Sequence, residues 1–179
     1  MKKIIMLIAV LLLVVLCCSG LNGANGEVSQ DVLRIHIRAN SNDVSDQNVK
    51  YAVKRAIVDY LTPYLAQAET KQHAMQIVSV HLQEINHVAN EVLLQNGFDY
   101  QCNSMLCNEV FPTRSYDGVV FKSGVYDALI VNLGSGNGDN WWCVVYPPLC
   151  FVPSQSSGNG NVVFKWKILD IINNWKNSR

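Results

Sequence analysis

The chain has 179 residues, and its 14 Lys+Arg balance its 14 Asp+Glu. That length suits one domain with a core of its own, and a formal net charge of zero excludes the basic surface that non-specific nucleic-acid binding needs. A composition 49% hydrophobic and 16% charged excludes an intrinsically disordered chain.

The first element is an export segment. Lys2 and Lys3 precede an uncharged apolar run, residues 4–18, followed by Ser19, Gly20, Leu21, Asn22 and Gly23. A basic start, an apolar middle and a small-residue tail form the pattern of a secretory signal. The run is shorter than the roughly 20 residues of a comfortable bilayer span. Residues 1–20 are therefore expected to be a signal peptide or an N-terminal membrane anchor, 21–31 a short linker, and 32–179 a single exported domain. Cys18 is a candidate lipid-attachment site, although Cys17 stands before it where a small residue belongs. Without Lys2 and Lys3 the chain has 12 cations against 14 anions and is slightly acidic. No second apolar run approaches a membrane-spanning length, so the exported part is expected to be soluble.

Residues 32–39 alternate. Leu33, Ile35 and Ile37 face one way, and Arg34, His36 and Arg38 the other, which predicts a half-buried strand. Asn40-Ser41-Asn42-Asp43 is a turn, and Ser45 is placed to cap a helix. Val49, Ala52, Val53, Ala56, Ile57, Tyr60 and Leu61 recur at helical spacing until Pro63 ends or kinks that helix near Leu61. Thr70 starts a second helix, with Ala74, Ile77, Val78, Ile85, Val88, Ala89 and Val92 on its apolar face, and Asn96-Gly97 stops it. Short strands are then expected at 98–102, 106–110, 119–121, 126–133 and 141–146. A last strand at 162–166 and a short helix at 168–175 would close the chain, with 154–161 as a surface loop. The predicted class is α+β: a mostly antiparallel sheet, two helices packed on one face and a short C-terminal helix.

Beyond the leader lie Cys102, Cys107, Cys143 and Cys150, an even number suited to an oxidising compartment. Three connectivities are open. The local pairs Cys102–Cys107 and Cys143–Cys150 are the simplest, since each closes a short loop. A zinc site is the rival, and its CxxC-like spacing is poorly matched here.

Other candidate chemistry is weaker. Gly134, Gly136 and Gly138 lie between two strand signals with no helix following, so a hairpin turn is expected rather than a phosphate loop. His81 and His87 are six residues apart, which turns about 240° on a helix, so the histidines of the second helix cannot converge on one metal and should be solvent-exposed. There is no GxSxG elbow. No metal or cofactor is expected. Trp141 and Trp142 are adjacent on a strand and must point to opposite faces, one towards the core and one outwards.

Several of these stretches resemble one family. Leu33-Arg34-Ile35-His36-Ile37-Arg38-Ala39-Asn40-Ser41 with Asp46-Gln47, then Phe111-Pro112-Thr113-Arg114-Ser115-Tyr116, then Gly124-Val125-Tyr126-Asp127-Ala128-Leu129, then residues 140–151 are similar to stage II sporulation protein R. Lys122 departs from the family's usual Pro, and Cys102 and Cys107 have no counterparts in its motifs. The resemblance implies a non-enzymatic intercellular signal of endospore formation, made in the forespore and exported into the space between the two sporulation membranes. There it would activate a membrane-embedded aspartic peptidase of the mother cell, which processes the sigma-E precursor. Membrane contact would come only through the N-terminal segment or that partner. Motif density and polar-face placement make His36, Arg38, Asn40, Ser41, Trp141 and Trp142 the candidate partner-binding residues. A secreted hydrolase acting on peptidoglycan or peptides is the alternative, and an anchored scaffold a third reading.

Overall fold

The computed structural model describes residues 32–116 and 119–151. The expected leader and linker, the 162–166 strand and the 168–175 helix lie outside those residues. The elements are β1 (Leu33–Arg38), α1 (Val44–Leu65), α2 (Lys71–Val80), α3 (Leu82–Gln95), β2 (Cys102–Phe111), β3 (Arg114–Tyr116), β4 (Val119–Phe121), β5 (Gly124–Leu133), β6 (Asn140–Tyr146) and a 3₁₀ turn at Leu149–Phe151.

The main sheet has the order β2-β5-β1-β6, and β3 and β4 form a separate two-stranded sheet. β1 is parallel to β5 and antiparallel to β6, and β2 is antiparallel to β5. This is the expected α+β class with a mostly antiparallel sheet. One apolar cluster joins Leu33, Ile35, Ile37, Leu129 and Val131 to Val53, Ile57, Ala74, Val78, Ile85 and Ala89 of the three helices.

β1 is an inner strand and is not half-buried: Arg34 and His36 on its polar side are buried like its apolar residues, and only Arg38 is partly open. The expected second helix is two helices. His81 leaves helical geometry (φ −98°, ψ 2°), where Tyr60 Oη lies 2.5 Å from its Nδ1 and the Tyr64 ring lies 4.2 Å from its own. His81 is thus a half-buried joint between helices rather than a solvated surface residue. Thr70 caps α2 as expected, its side chain accepting the His73 N–H at 3.1 Å.

α1 begins after Asp43, not at a Ser45 cap, and it continues through Pro63 to Leu65. Proline sacrifices one helical hydrogen bond; burial of Leu65 and of Ala68 beyond it holds the last turn in place. The strand expected at 98–102 does not form, since residues 98–101 lie outside any strand, and the one expected at 106–110 is part of a longer strand, β2, in ten consecutive pairs with β5 from Cys102 to Phe111. The glycine-rich segment after β5 is not a hairpin, since β5 and β6 are both neighbours of β1. It crosses the end of β1 and lies against residues 39–42. Gly138 N–H donates to Ala39 O at 2.8 Å, Asn137 N–H to Asn40 O at 3.3 Å, and Asp139 N–H to Asn42 Oδ1 at 2.6 Å. The approach demands glycine at 138, where a Cβ would stand 2.1 Å from Ser41 O. Gly134 also needs its positive φ of 56°.

Cys143 and Cys150 are bridged, with Cα atoms 6.0 Å apart. Cys102 and Cys107 are not bridged. They are five residues apart on one strand and so point to opposite faces: Cys102 is buried on the helix side and Cys107 is exposed on the other.

Candidate functional site

Alternation along β1 sends Arg34, His36 and Arg38 to the sheet face away from the helices. The register then brings them neighbours from three other strands. Ala128, Ile130 and Asn132 of β5 lie beside Arg34, His36 and Arg38 in turn. On the other flank Val144, Trp142 and Asn140 of β6 lie opposite the same three residues. Glu109 reaches over from β2, and the β3–β4 hairpin covers the Arg34 end.

Arg34 is wholly buried. Its guanidinium sits 4.2 Å from the Phe111 ring centre and 4.8 Å from that of Tyr126, a cation–π arrangement. Its Nη2 donates to Tyr116 Oη at 3.3 Å, and Tyr116 Oη in turn donates to Trp142 O at 3.0 Å. Nε and Nη1 have no hydrogen-bond partner among the described residues.

His36 is 4% exposed. Its Nδ1 lies 3.0 Å from Glu109 Oε1 and its Nε2 2.8 Å from Asn140 Oδ1. Its ring stacks on Trp142 at 5.3 Å and meets Phe111 edge-on at 6.0 Å. Burial pushes its pKa below the ordinary value of 6.5, against the pull of the Asn140 and Glu109 bonds. Both ring nitrogens are occupied, so His36 acts as a brace across β1, β2 and β6. The same Glu109 oxygen pairs with Arg38 Nη2, and Arg38 Nη1 donates to Asn132 Oδ1 at 3.2 Å. The Arg38 side chain keeps 31% of its surface. Arg114 of the hairpin lies over the Trp142 ring at 4.3 Å. Arg38, Arg114 and Trp142 are therefore the partly open rim of a buried polar network.

The end of β1 is built differently. Asn40 Nδ2 donates to Asp46 Oδ2 at 2.9 Å, and Asn40 Oδ1 accepts the Ser135 N–H at 2.9 Å. Ser41 Oγ accepts the Asp43 N–H at 3.1 Å. Asp46 also accepts from Tyr100 Oη at 2.6 Å. Burial raises the Asp46 pKa, but the bonds from Ser41, Tyr100 and Asn40 outweigh it and hold the carboxyl below its ordinary value. Lys50, buried beneath this loop pair, donates to Gln47 Oε1 at 2.6 Å and to Asp139 O at 2.9 Å. Burial lowers its pKa against the attraction of Asp139.

The six candidate residues thus divide. His36, Arg38 and Trp142 come together on one face. Asn40 and Ser41 organise the loops at the adjoining end of the sheet. Trp141 points to the helix face, where Lys54 Nζ lies 5.3 Å from its ring centre. Both tryptophans are half-buried, so neither is simply core or surface. The expectations missed Glu109, Asn132, Asn140 and Arg114. Arg114 and Asn140 lie in stretches that carry the family resemblance, whereas nothing local marks Glu109 and Asn132, which strand register brings to β1. Among the described residues no group of three His, Cys, Asp or Glu is placed to hold a metal ion.

Comparison with known proteins fits this frame. The sequence model of the family described as stage II sporulation protein R matches residues 29–156. The chain belongs to the stage II sporulation protein R family. It is 31% identical over 125 residues to stage II sporulation protein R of Bacillus subtilis (strain 168), a match covering 70% of this chain and 56% of that relative. The chain therefore spans little more than half the length of its curated relative. The match takes in every described element, including the polar network of β1 and the Cys143–Cys150 bridge. No solved structure matches.

Proposed function

We propose that the protein is an exported signal of endospore formation. It binds the outward face of a membrane-embedded aspartic peptidase of the mother cell and promotes processing of the sigma-E precursor. Membership of the stage II sporulation protein R family carries this reading. The Cys143–Cys150 bridge supports the export half of it, because such bonds persist in oxidising compartments. The contact surface we favour is the end of the sheet where Arg38, Trp142 and Arg114 form the open rim, with Asn40, Ser41 and Trp141 beside them. His36 would act from beneath by holding Trp142 and Glu109 in place.

A rim fixed from below suits a ligand that must discriminate between two states of its receptor. A ligand shifts a conformational equilibrium only by its difference in affinity for the two states. Rigid side chains achieve that with less ordering loss on binding. The test is co-expression with the peptidase and the sigma-E precursor in a non-sporulating host. Wild type should drive precursor cleavage. Arg38→Ala with Trp142→Ala should abolish it while export continues and the secreted protein still melts cooperatively, at a lower midpoint because His36 loses its stacking partner and Glu109 its ion pair. Full cleavage by that folded double variant would show the surface to be wrong. No cleavage with wild type would overturn the activator role itself.

A further inference from the structure

The two edges of the main sheet are managed differently. β6 has a register irregularity opposite Leu33/Arg34 and runs into Pro147, Pro148 and the bridged turn at Cys150. Irregularities and prolines of this kind keep other strands off an edge. β2 has neither device. Its ten pairs with β5 run without a break, it contains no Pro, Lys or Arg, and residues 102–108 carry no charge. Among the described residues no strand pairs with its outer side.

The hydrogen bonds show which β2 groups point outwards. Gly134 N–H donates to Gln101 O, so residues 101 and 134 are a hydrogen-bonded pair of the antiparallel ladder. Cys102 N–H instead turns away from β5, to Asn90 Oδ1 at 2.7 Å. The alternation continues along the strand. Leu106, Asn108 and Val110 therefore direct their N–H and C=O groups away from β5, while Cys107 directs its own inwards. Val110 is 72% exposed.

We propose that β2 pairs edge to edge with β2 of a second copy of this chain, antiparallel about a two-fold axis at Cys107. The register follows from the ladder. Leu106 lies opposite Asn108 of the second copy in a hydrogen-bonded pair, and Ser104 lies opposite Val110. The two Cys107 residues meet at a close, non-hydrogen-bonded pair, where facing Cα atoms are about 4.5 Å apart. The strand suits a copy of itself on charge. Its one charged residue, Glu109, faces Met105 of the second copy, so no like charges are opposed. The axis residue is small and exposed, and its thiol has no disulfide partner among the described residues. The pairing covers Val110 and joins the two four-stranded sheets into one of eight.

The close pair supplies the test, since its spacing lies within the about 4.4–6.8 Å range of Cα separations in disulfides. The exported protein is treated with oxidised glutathione. Two Cys107 thiols then give one S–S bond, and the glutathione disulfide takes up the two hydrogens and leaves as two thiols. A covalent dimer should form in Cys102→Ser and be absent in Cys107→Ser. Under reducing conditions sedimentation should show a reversible dimer. Val110→Lys, or Val110→Pro should the lysine variant fail to fold, should weaken it by about tenfold or more, equivalent to about 1.4 kcal/mol. Three results would overturn the pairing. One is a monomer at every concentration with fast amide exchange at Leu106, Asn108 and Val110. Another is a monomer with those amides protected, the sign of the chain's own C-terminal stretch on this edge. The third is a cross-link that survives both Val110 variants, the sign of chance oxidation.

Discussion

The two sides of β1 are closed to water almost equally, yet they are built on different physics. Ile35 and Ile37 are 1% and 0% exposed towards the helices; Arg34 and His36 are 0% and 4% exposed towards the hairpin. The apolar side needs only area and volume, and several aliphatic sets would fill it. The polar side needs named partners: aromatic rings for Arg34, Glu109 and Asn140 for His36, Glu109 and Asn132 for Arg38. One strand thus anchors the core with one set of side chains and organises the candidate contact surface with the other. The difference teaches that alternation reports chemistry, not exposure.

Substitution can break that contrast. Ile35→Ala should have the largest effect on stability, a loss of about 2–5 kcal/mol through the cavity it leaves. A urea melt measures it; a loss below about 1 kcal/mol would mean that the helix side is loosely packed.

The pH response of the polar side should be smaller. Folding lowers the His36 pKa, so the unfolded chain takes up a proton there first as pH falls. Its contribution is fully present above 6.5 and is lost progressively as pH drops below that value towards the folded pKa. Asp46 acts in a separate window, because its contribution disappears only as pH falls below 3.8. The thermal midpoint should fall between about pH 7.5 and pH 5.5, and His36→Gln should flatten that slope. An unchanged slope would assign the effect elsewhere.

Arg34→Met should have the smallest effect, within about 1 kcal/mol of wild type, since it keeps the packed length and removes a charge with no carboxylate beside it among the described residues. A loss of several kcal/mol, seen in the same urea melt, would show that the cation–π contacts hold the hairpin down.

Much of the secondary structure was legible. The alternation of β1 and the helical spacing of α1 are local, and local patterns survive into the fold. The Cys143–Cys150 pair was legible because both residues bracket one short turn. Other features needed long-range contact. The break at His81 depends on Tyr60 and Tyr64 across the helix interface. The glycine segment looked like a hairpin because no local signal reveals that β1 lies between β5 and β6. Cys102 and Cys107 looked close in sequence, but one unbroken strand from Cys102 to Phe111 sets them on opposite faces.

By itself the sequence determined the α+β class, the polar and apolar sides of β1, the placement of Trp141 and Trp142 on opposite faces and, through its motifs, the family. Only the tertiary structure decided that β1 is central, that Glu109 and Asn140 meet at His36, and that no strand among the described residues pairs with the outer edge of β2. Periodicity records how each segment meets its own neighbours. Register and strand order come from the packing of the whole chain, where burial of the shared core selects one arrangement among many that the local patterns allow.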